Sequence, residues 1–114
     1  MPRILVVEDD VAMRFFIEHV LLGAGYEVDA TGTMSGGTDL LRCGRYDLVL
    51  SDVKLPDGTG LEVADLAREK DTKALMITGQ AFTLPTGTHE RYEFLLKPVR
   101  AAEILTGVER ALTD

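Results

Sequence analysis

Ile4-Leu5-Val6-Val7 is a continuous apolar run with no polar alternation, the pattern of a strand buried on both faces. The period then switches. Asp10 stands where a helix N-cap belongs, Val11 to Ala24 has helical spacing, and Gly25 marks the stop. Tyr26 to Ala30 reads as a more exposed strand. Thr33 opens a second helix ending at Gly44, weakened by Gly36 and Gly37 at about 1 kcal/mol each relative to Ala. Asp47 to Ser51 is the third strand, and Leu61 to Lys70 the third helix. Ala74 to Ile77 is the fourth strand and Tyr92 to Leu96 the fifth. Arg100 to Leu112 is the last helix, with Ala101, Ile104, Leu105, Val108, Ala111 and Leu112 on one stripe. Strand alternating with helix five times predicts an α/β domain with right-handed crossovers and a parallel sheet covered on both faces.

Ligands of such sheets bind outside the carboxyl ends of the strands. Glu8 and Asp9 follow strand one, Asp52 strand three, Thr78 strand four and Lys97 strand five. Five such placements from four strands are hard to attribute to chance. Three carboxylates and one amine in a small space are unstable unless a cation joins them. The set suits a divalent metal and a phosphoryl group. Mg²⁺ takes hard oxygen ligands and is usually bound through one or two carboxylates plus phosphate.

Composition narrows the classes. The 114 residues fit one domain with one core, and 46% apolar with 27% charged residues is ordinary for a globular chain. The net charge of −7 disfavours nucleic-acid binding, which needs a basic face. No apolar stretch is long enough to span a bilayer, and the first apolar run is too short for a signal peptide. Cys43 is the only cysteine, which excludes an internal disulfide and makes a cytoplasmic location the expectation. No Gly-rich phosphate loop follows strand one, so a nucleotide-binding reading fails.

The residues then match a family. Ile4-Leu5-Val6-Val7-Glu8-Asp9-Asp10, Asp47 to Pro56 with Gly58 and Gly60, Met76-Ile77-Thr78-Gly79 and Phe94-Leu95-Leu96-Lys97-Pro98 stand in order at near-family spacing. End to end, the chain resembles the receiver domain of two-component response regulators. The resemblance implies a flavodoxin-like fold: a doubly wound, five-stranded parallel sheet of order 2-1-3-4-5. It implies that Asp52 is the phosphoacceptor, supplied by a histidine kinase or histidine phosphotransfer protein and read by a downstream protein target. It implies Mg²⁺, or Mn²⁺, held by Glu8, Asp9, Asp52 and the backbone carbonyl of Lys54. Thr78 and Lys97 would contact the phosphoryl oxygens, and Thr78 and Phe94 would form the switch. Lys54 and Gln80 would occupy the positions that tune hydrolysis of the acyl phosphate. Lys97-Pro98 would be cis. The expected role is that of a phosphoacceptor rather than an enzyme, its own acyl phosphate aside. A dimer is left open.

Each assignment has a plainer alternative. Asp10 is read as a helix cap. Thr78 could be a β-former at a strand end, Lys97 a surface lysine and Phe94 simple core packing. His19 and His89 lack a second ligand at metal spacing and read as structural or exposed. Cys43 reads as a packing residue.

Two further readings concern partners. On the first helix, Met13, Phe16, Ile17, Val20, Leu21 and Ala24 form the core stripe, while Val11, Phe15 and Leu22 fall on the opposite face. Exposed apolar patches often mark partner sites. In receivers this helix meets the kinase or phosphotransfer protein, so these three residues are a docking hypothesis. The stretch between Thr78 and Lys97 is about one turn shorter than the family pattern and contains Pro85 and Gly87. The fourth helix is therefore expected to be short or missing, which keeps a passive interaction module or phosphate sink as the alternative. The chain ends at Thr113-Asp114 with no linker or DNA-binding module in it. One receiver domain over residues 1–114 is expected, acting through protein contacts or as a piece of a longer protein.

Overall fold

The computed structural model describes residues 1–79 and 92–113. Five parallel strands form the main sheet: β1 (Arg3–Val7), β2 (Glu27–Thr31), β3 (Leu48–Asp52), β6 (Lys73–Thr78) and β7 (Glu93–Leu96), in the order β2-β1-β3-β6-β7. In sequence rank this is the expected order 2-1-3-4-5. Two short strands, β4 (Lys54–Leu55) and β5 (Gly58–Thr59), pair as an antiparallel hairpin just after β3. The described helices are α1 (Val11–Gly23), α2 (Met34–Cys43), α3 (Gly60–Glu69) and α4 (Ala101–Thr113). None of these helices is long and apolar enough to cross a membrane.

The apolar runs bury side chains in both directions. Ile4 and Val6 of β1, Leu48 and Leu50 of β3, and Leu75 and Ile77 of β6 join Ile17, Leu21, Ile104 and Val108 on the α1/α4 face. The intervening Leu5, Val7 and Val49 join Leu41, Val63 and Ala67 on the α2/α3 face. This is strand periodicity seen from both sides. Each fully buried Leu or Ile contributes about 1.5–3 kcal/mol relative to an exposed one. A polar clamp closes the far end of the sheet. Asp29 Oδ2 accepts from Arg3 Nη2 and from Tyr46 Oη, both at 2.7 Å, and the Arg3 guanidinium lies over the Tyr46 ring. Burial, followed by the bond to Asp29, pushes the Tyr46 phenol up to about 12.

The helix boundaries follow local chemistry. Asp10 Oδ1 accepts from Met13 N at 3.1 Å and Thr33 Oγ1 from Gly36 N at 3.0 Å, so both expected N-caps form. Gly25, just past α1, takes φ +94°, the left-handed conformation that glycine adopts without strain. Gly37 is a packing residue as well as a weak helix former: a Cβ there would meet Val7 Cγ2 at 3.0 Å and Val63 at 3.4 Å.

Three expectations need correction or limits. Phe16 was expected in the core stripe but is 38% exposed, and Ala24 is exposed as well. Of the expected stripe, Ile17 and Leu21 are fully buried, and Met13 and Val20 pack partly buried against the same core. The hairpin between Asp52 and α3 lacked the length and alternation that announce a strand. The expectation of a short or missing fourth helix, together with Gln80 and His89, lies outside the described residues.

Gly60 is the most tightly enclosed of the described glycines. A Cβ there would stand 1.9 Å from the Asp52 carbonyl oxygen and 2.5 Å from Ser51 Oγ. The Gly60 amide donates to the Val53 carbonyl at 2.7 Å, so the chain cannot draw back. Gly60→Ala is expected to destabilise by about 3 kcal/mol, read as a lower urea midpoint. Gly23→Ala, where a Cβ meets nothing within 4 Å, is expected to be neutral or to stabilise by up to about 1 kcal/mol.

Candidate functional site

The carboxyl ends of β1, β3, β6 and β7 bring the expected residues together. Glu8 follows β1 and is 1% exposed. Its backbone is gripped twice: Glu8 N donates to Thr31 O at 3.0 Å, and Glu8 O accepts from Arg14 Nη1 at 2.9 Å. Asp9 beside it is exposed. Asp52 closes β3 and Thr78 closes β6, and both are buried. Lys97 is placed by its own backbone, since its amide donates to Thr78 O at 3.0 Å. The Lys97-Pro98 bond that follows is cis.

Lys97 reaches back across the end of β6 to the acids. Its Nζ donates to Asp52 Oδ2 at 2.9 Å and stands 3.1 Å from Glu8 Oε1. The Glu8 contact pairs charges but lacks hydrogen-bond geometry, so Glu8 Oε1 is buried without a hydrogen-bond partner. Glu8 Oε2 accepts from the Asp10 amide at 3.3 Å. Carboxylate oxygens of Glu8, Asp9 and Asp52 all lie within 4.8 Å of one another. At an effective dielectric of about 20, like charges at that range repel by roughly 3 kcal/mol a pair. One lysine cannot offset three acids. A buried oxygen lacking a donor, with two more carboxylates in reach, is the donor set that a hard divalent cation fits.

The protonation equilibria carry the same imbalance. Burial, followed by the hydrogen bond and charge of Asp52, pushes the Glu8 carboxyl up to about 7. The Asp10 amide and Lys97 oppose this without cancelling it. For Lys97, burial pulls the ammonium down, but Asp52 and Glu8 together outweigh it and hold the pKa above the ordinary value.

Lys54 opens the hairpin two residues beyond Asp52 and is exposed. Phe94 sits mid-strand in β7, opposite Met76, partly buried against the small cluster of Ala64, Met76 and Tyr92. Val11, Phe15 and Leu22 are exposed, as the helical pattern predicted. Sequence reasoning missed Arg14, whose guanidinium supports the Glu8 carbonyl. Its place one helical turn after the Asp10 cap was the available signal. It also missed Asp57, which accepts from Met34 N at 2.7 Å and Ser35 N at 3.0 Å across a gap of more than twenty residues.

Comparison with known proteins agrees with this geometry. The model of the response regulator receiver domain family matches residues 4–109. The two-component response regulator ORR24 of Oryza sativa is 36% identical over 110 residues, covering 91% of this chain but only 18% of that protein. The chain thus spans less than a fifth of such relatives. Chemotaxis response regulator CheY4 of Vibrio cholerae superposes with a TM-score of 0.86 at 30% identity, covering 98% of this chain and 99% of that one. Response regulator TrrA of Thermotoga maritima, solved in complex with Mg²⁺–BeF, gives 0.88 at 30% identity over 98% of this chain and 100% of that one.

The Glu8 shift predicts a pH dependence. Below the ordinary value of 4.5, Glu8 is protonated in both folded and unfolded chains and carries no penalty. As pH rises toward about 7 the unfolded chain ionises first, and the folded state loses up to about 3 kcal/mol. In metal-free buffer, Glu8→Gln should therefore be more stabilising at pH 8 than at pH 4.5, by up to that amount. Urea denaturation of both proteins at the two pH values checks this. Added Mg²⁺ should shrink the difference at pH 8.

Proposed function

We infer function from family membership: the chain belongs to the response regulator receiver domains, which act as phosphorylation-dependent signalling switches. Within that family we read residues 1–114 as one receiver domain and Asp52 as its phosphoacceptor. The observation that carries this reading is the position of Lys97 Nζ, 2.9 Å from Asp52 Oδ2 and 3.1 Å from Glu8 Oε1. Lys97 holds a carboxylate nucleophile and leaves a cation beside the place where phosphoryl charge develops.

Glu8, Asp9 and Asp52, with the Lys54 backbone carbonyl, would hold Mg²⁺ or Mn²⁺. When bound, that ion supplies charge neutralisation for the incoming phosphoryl group. Asp52 attacks the phosphorus of the donor's phosphohistidine. An acyl phosphate forms on Asp52, the P–N bond to histidine breaks, and the donor keeps the nitrogen electron pair. Lys97 then pairs with a phosphoryl oxygen, and the Thr78 hydroxyl donates to another. Thr78 leads into β7 through the bond from the Lys97 amide to its carbonyl. Rearrangement there passes to Phe94, a two-state element biased by a change of charge. Lys54, two residues beyond Asp52, tunes hydrolysis of the phosphate, and the family pattern assigns the same role to Gln80.

The donor is a histidine kinase or a histidine phosphotransfer protein. The exposed side chains of Val11, Phe15 and Leu22 form its docking surface on α1, the helix that begins two residues after Asp9. The receiver acts in turn on a downstream protein target.

Incubation with Mg²⁺ and acetyl phosphate tests the central assignment. The wild-type chain should gain the mass of one phosphoryl group, labile to alkali, and Asp52→Asn should not. Equal modification of both proteins would overturn the assignment. Phe15→Ala should slow transfer from the partner kinase by roughly ten-fold, the scale of one well-buried interface anchor, while leaving acetyl phosphate labelling unchanged. Quenched-flow autoradiography of the two reactions separates these effects.

A further inference from the structure

The hairpin after Asp52 is too small to hold itself in place. It has two residues a side, pairing Lys54 with Thr59 and Leu55 with Gly58. An isolated hairpin of this size has no independent stability in water. Gly60 presses its base against the Asp52 carbonyl, and Leu55 is buried in the α2/α3 core. The tip is held by Asp57, whose two carboxylate oxygens accept from Met34 N at 2.7 Å and Ser35 N at 3.0 Å at the start of α2. These amides hold the Asp57 carboxyl below the ordinary carboxylate range, Ser35 more than Met34.

The contact does more than end a helix. α2 already has a local cap, Thr33 Oγ1 on Gly36 N. It carries no acidic residue in its own first turn, so Asp57 supplies the negative charge that a helix N-terminus favours. Gly58 beside it packs on Met34, and a Cβ there would stand 2.4 Å from Met34 Sδ. The other end of the connection leads back to the acids. β2 ends at Thr31, whose carbonyl receives the Glu8 amide, and Gly32 follows it, packed over Arg14. Arg14 in turn supports the Glu8 carbonyl. The stretch from Thr31 to Ser35 therefore links the Glu8 turn, met by Thr31 and Gly32, to the tip of the hairpin that begins at Lys54, met by Met34 and Ser35.

We propose that Asp57 is a positioning residue for the cation site, bracing the hairpin that carries Lys54 against the N-terminus of α2. This rests on the reading of Glu8, Asp9, Asp52 and the Lys54 carbonyl as the cation's ligands. Residues that orient ligands without touching the ion commonly change affinity by 10-fold or more. The coupling is reciprocal, so cation binding should quiet the Met34 and Ser35 amides.

The test is Mg²⁺ titration followed by NMR in wild type, Asp57→Ala, Asp57→Asn and Thr33→Ala, with urea denaturation of each. Asp57→Ala should weaken Mg²⁺ binding roughly ten-fold. Asp57→Asn, which keeps one acceptor oxygen, should recover most of that loss. Thr33→Ala removes the local cap without touching the hairpin, and should lower stability with Mg²⁺ affinity unchanged. Mg²⁺ should slow hydrogen exchange at Met34 and Ser35 in wild type and not in Asp57→Ala. If Asp57→Ala binds Mg²⁺ as tightly as wild type, or Thr33→Ala weakens it equally, Asp57 is a helix cap alone and the proposal falls. Wild type that binds no Mg²⁺ would instead overturn the cation site itself, and the proposal with it.

Discussion

Lys97 is asked to satisfy two buried acids at once, and the site is organised around the fact that it cannot. Its ammonium lies near 3 Å from both Asp52 and Glu8, yet only the Asp52 contact has hydrogen-bond geometry. Glu8 is left with a buried oxygen and a raised pKa. Leaving a buried charged oxygen without a donor is expensive. A domain that keeps such a group holds it for something that binds there. The backbone around Glu8 is fixed by Thr31 and Arg14, and its side chain is 1% exposed.

Sheet topology makes this arrangement possible. Parallel strands present all their carboxyl ends on one edge, and the chain leaves β1 in the opposite direction from β3, opening a crevice between their loops. Glu8 and Asp52 are the first residue beyond β1 and the last of β3, on neighbouring strands. Lys97 comes from β7, two strands further, and depends on β6 for its position. A shift of β7 against β6 therefore moves the lysine relative to the acids. Phe94 sits in that strand, partly packed on Met76 and Tyr92, where such a shift would be felt.

The parts legible in the sequence were those where one residue type has one dominant physical use. Ile4 to Val7 could only be a strand buried on both faces. Asp10 and Thr33 capped helices because short oxygen-bearing side chains do so wherever helical spacing begins. The acids and lysine were legible because charges at strand ends have no other reason to converge. What stayed hidden depends on distances between segments. Phe16 looked like core from its angle on the helix, but the width of the buried stripe is set by how α1 lies on the sheet. Gly60 stood in the sequence only as one residue of the family pattern, whereas it is a close contact with the Asp52 carbonyl. Asp57 drew no reading from the sequence; only the fold brings it to Met34 and Ser35.

The division of the core by the sheet has a consequence for how such a domain changes over time. Side chains on the α1/α4 face and on the α2/α3 face form separate clusters, joined through strand backbones. A substitution in α1 is felt by Ile4 and Val6 but is insulated from Leu5 and Val7. The exposed apolar residues of α1 can thus vary while the α2 side, with its hairpin and shared amides, stays in register. The two halves of the core are thereby free to change at different rates.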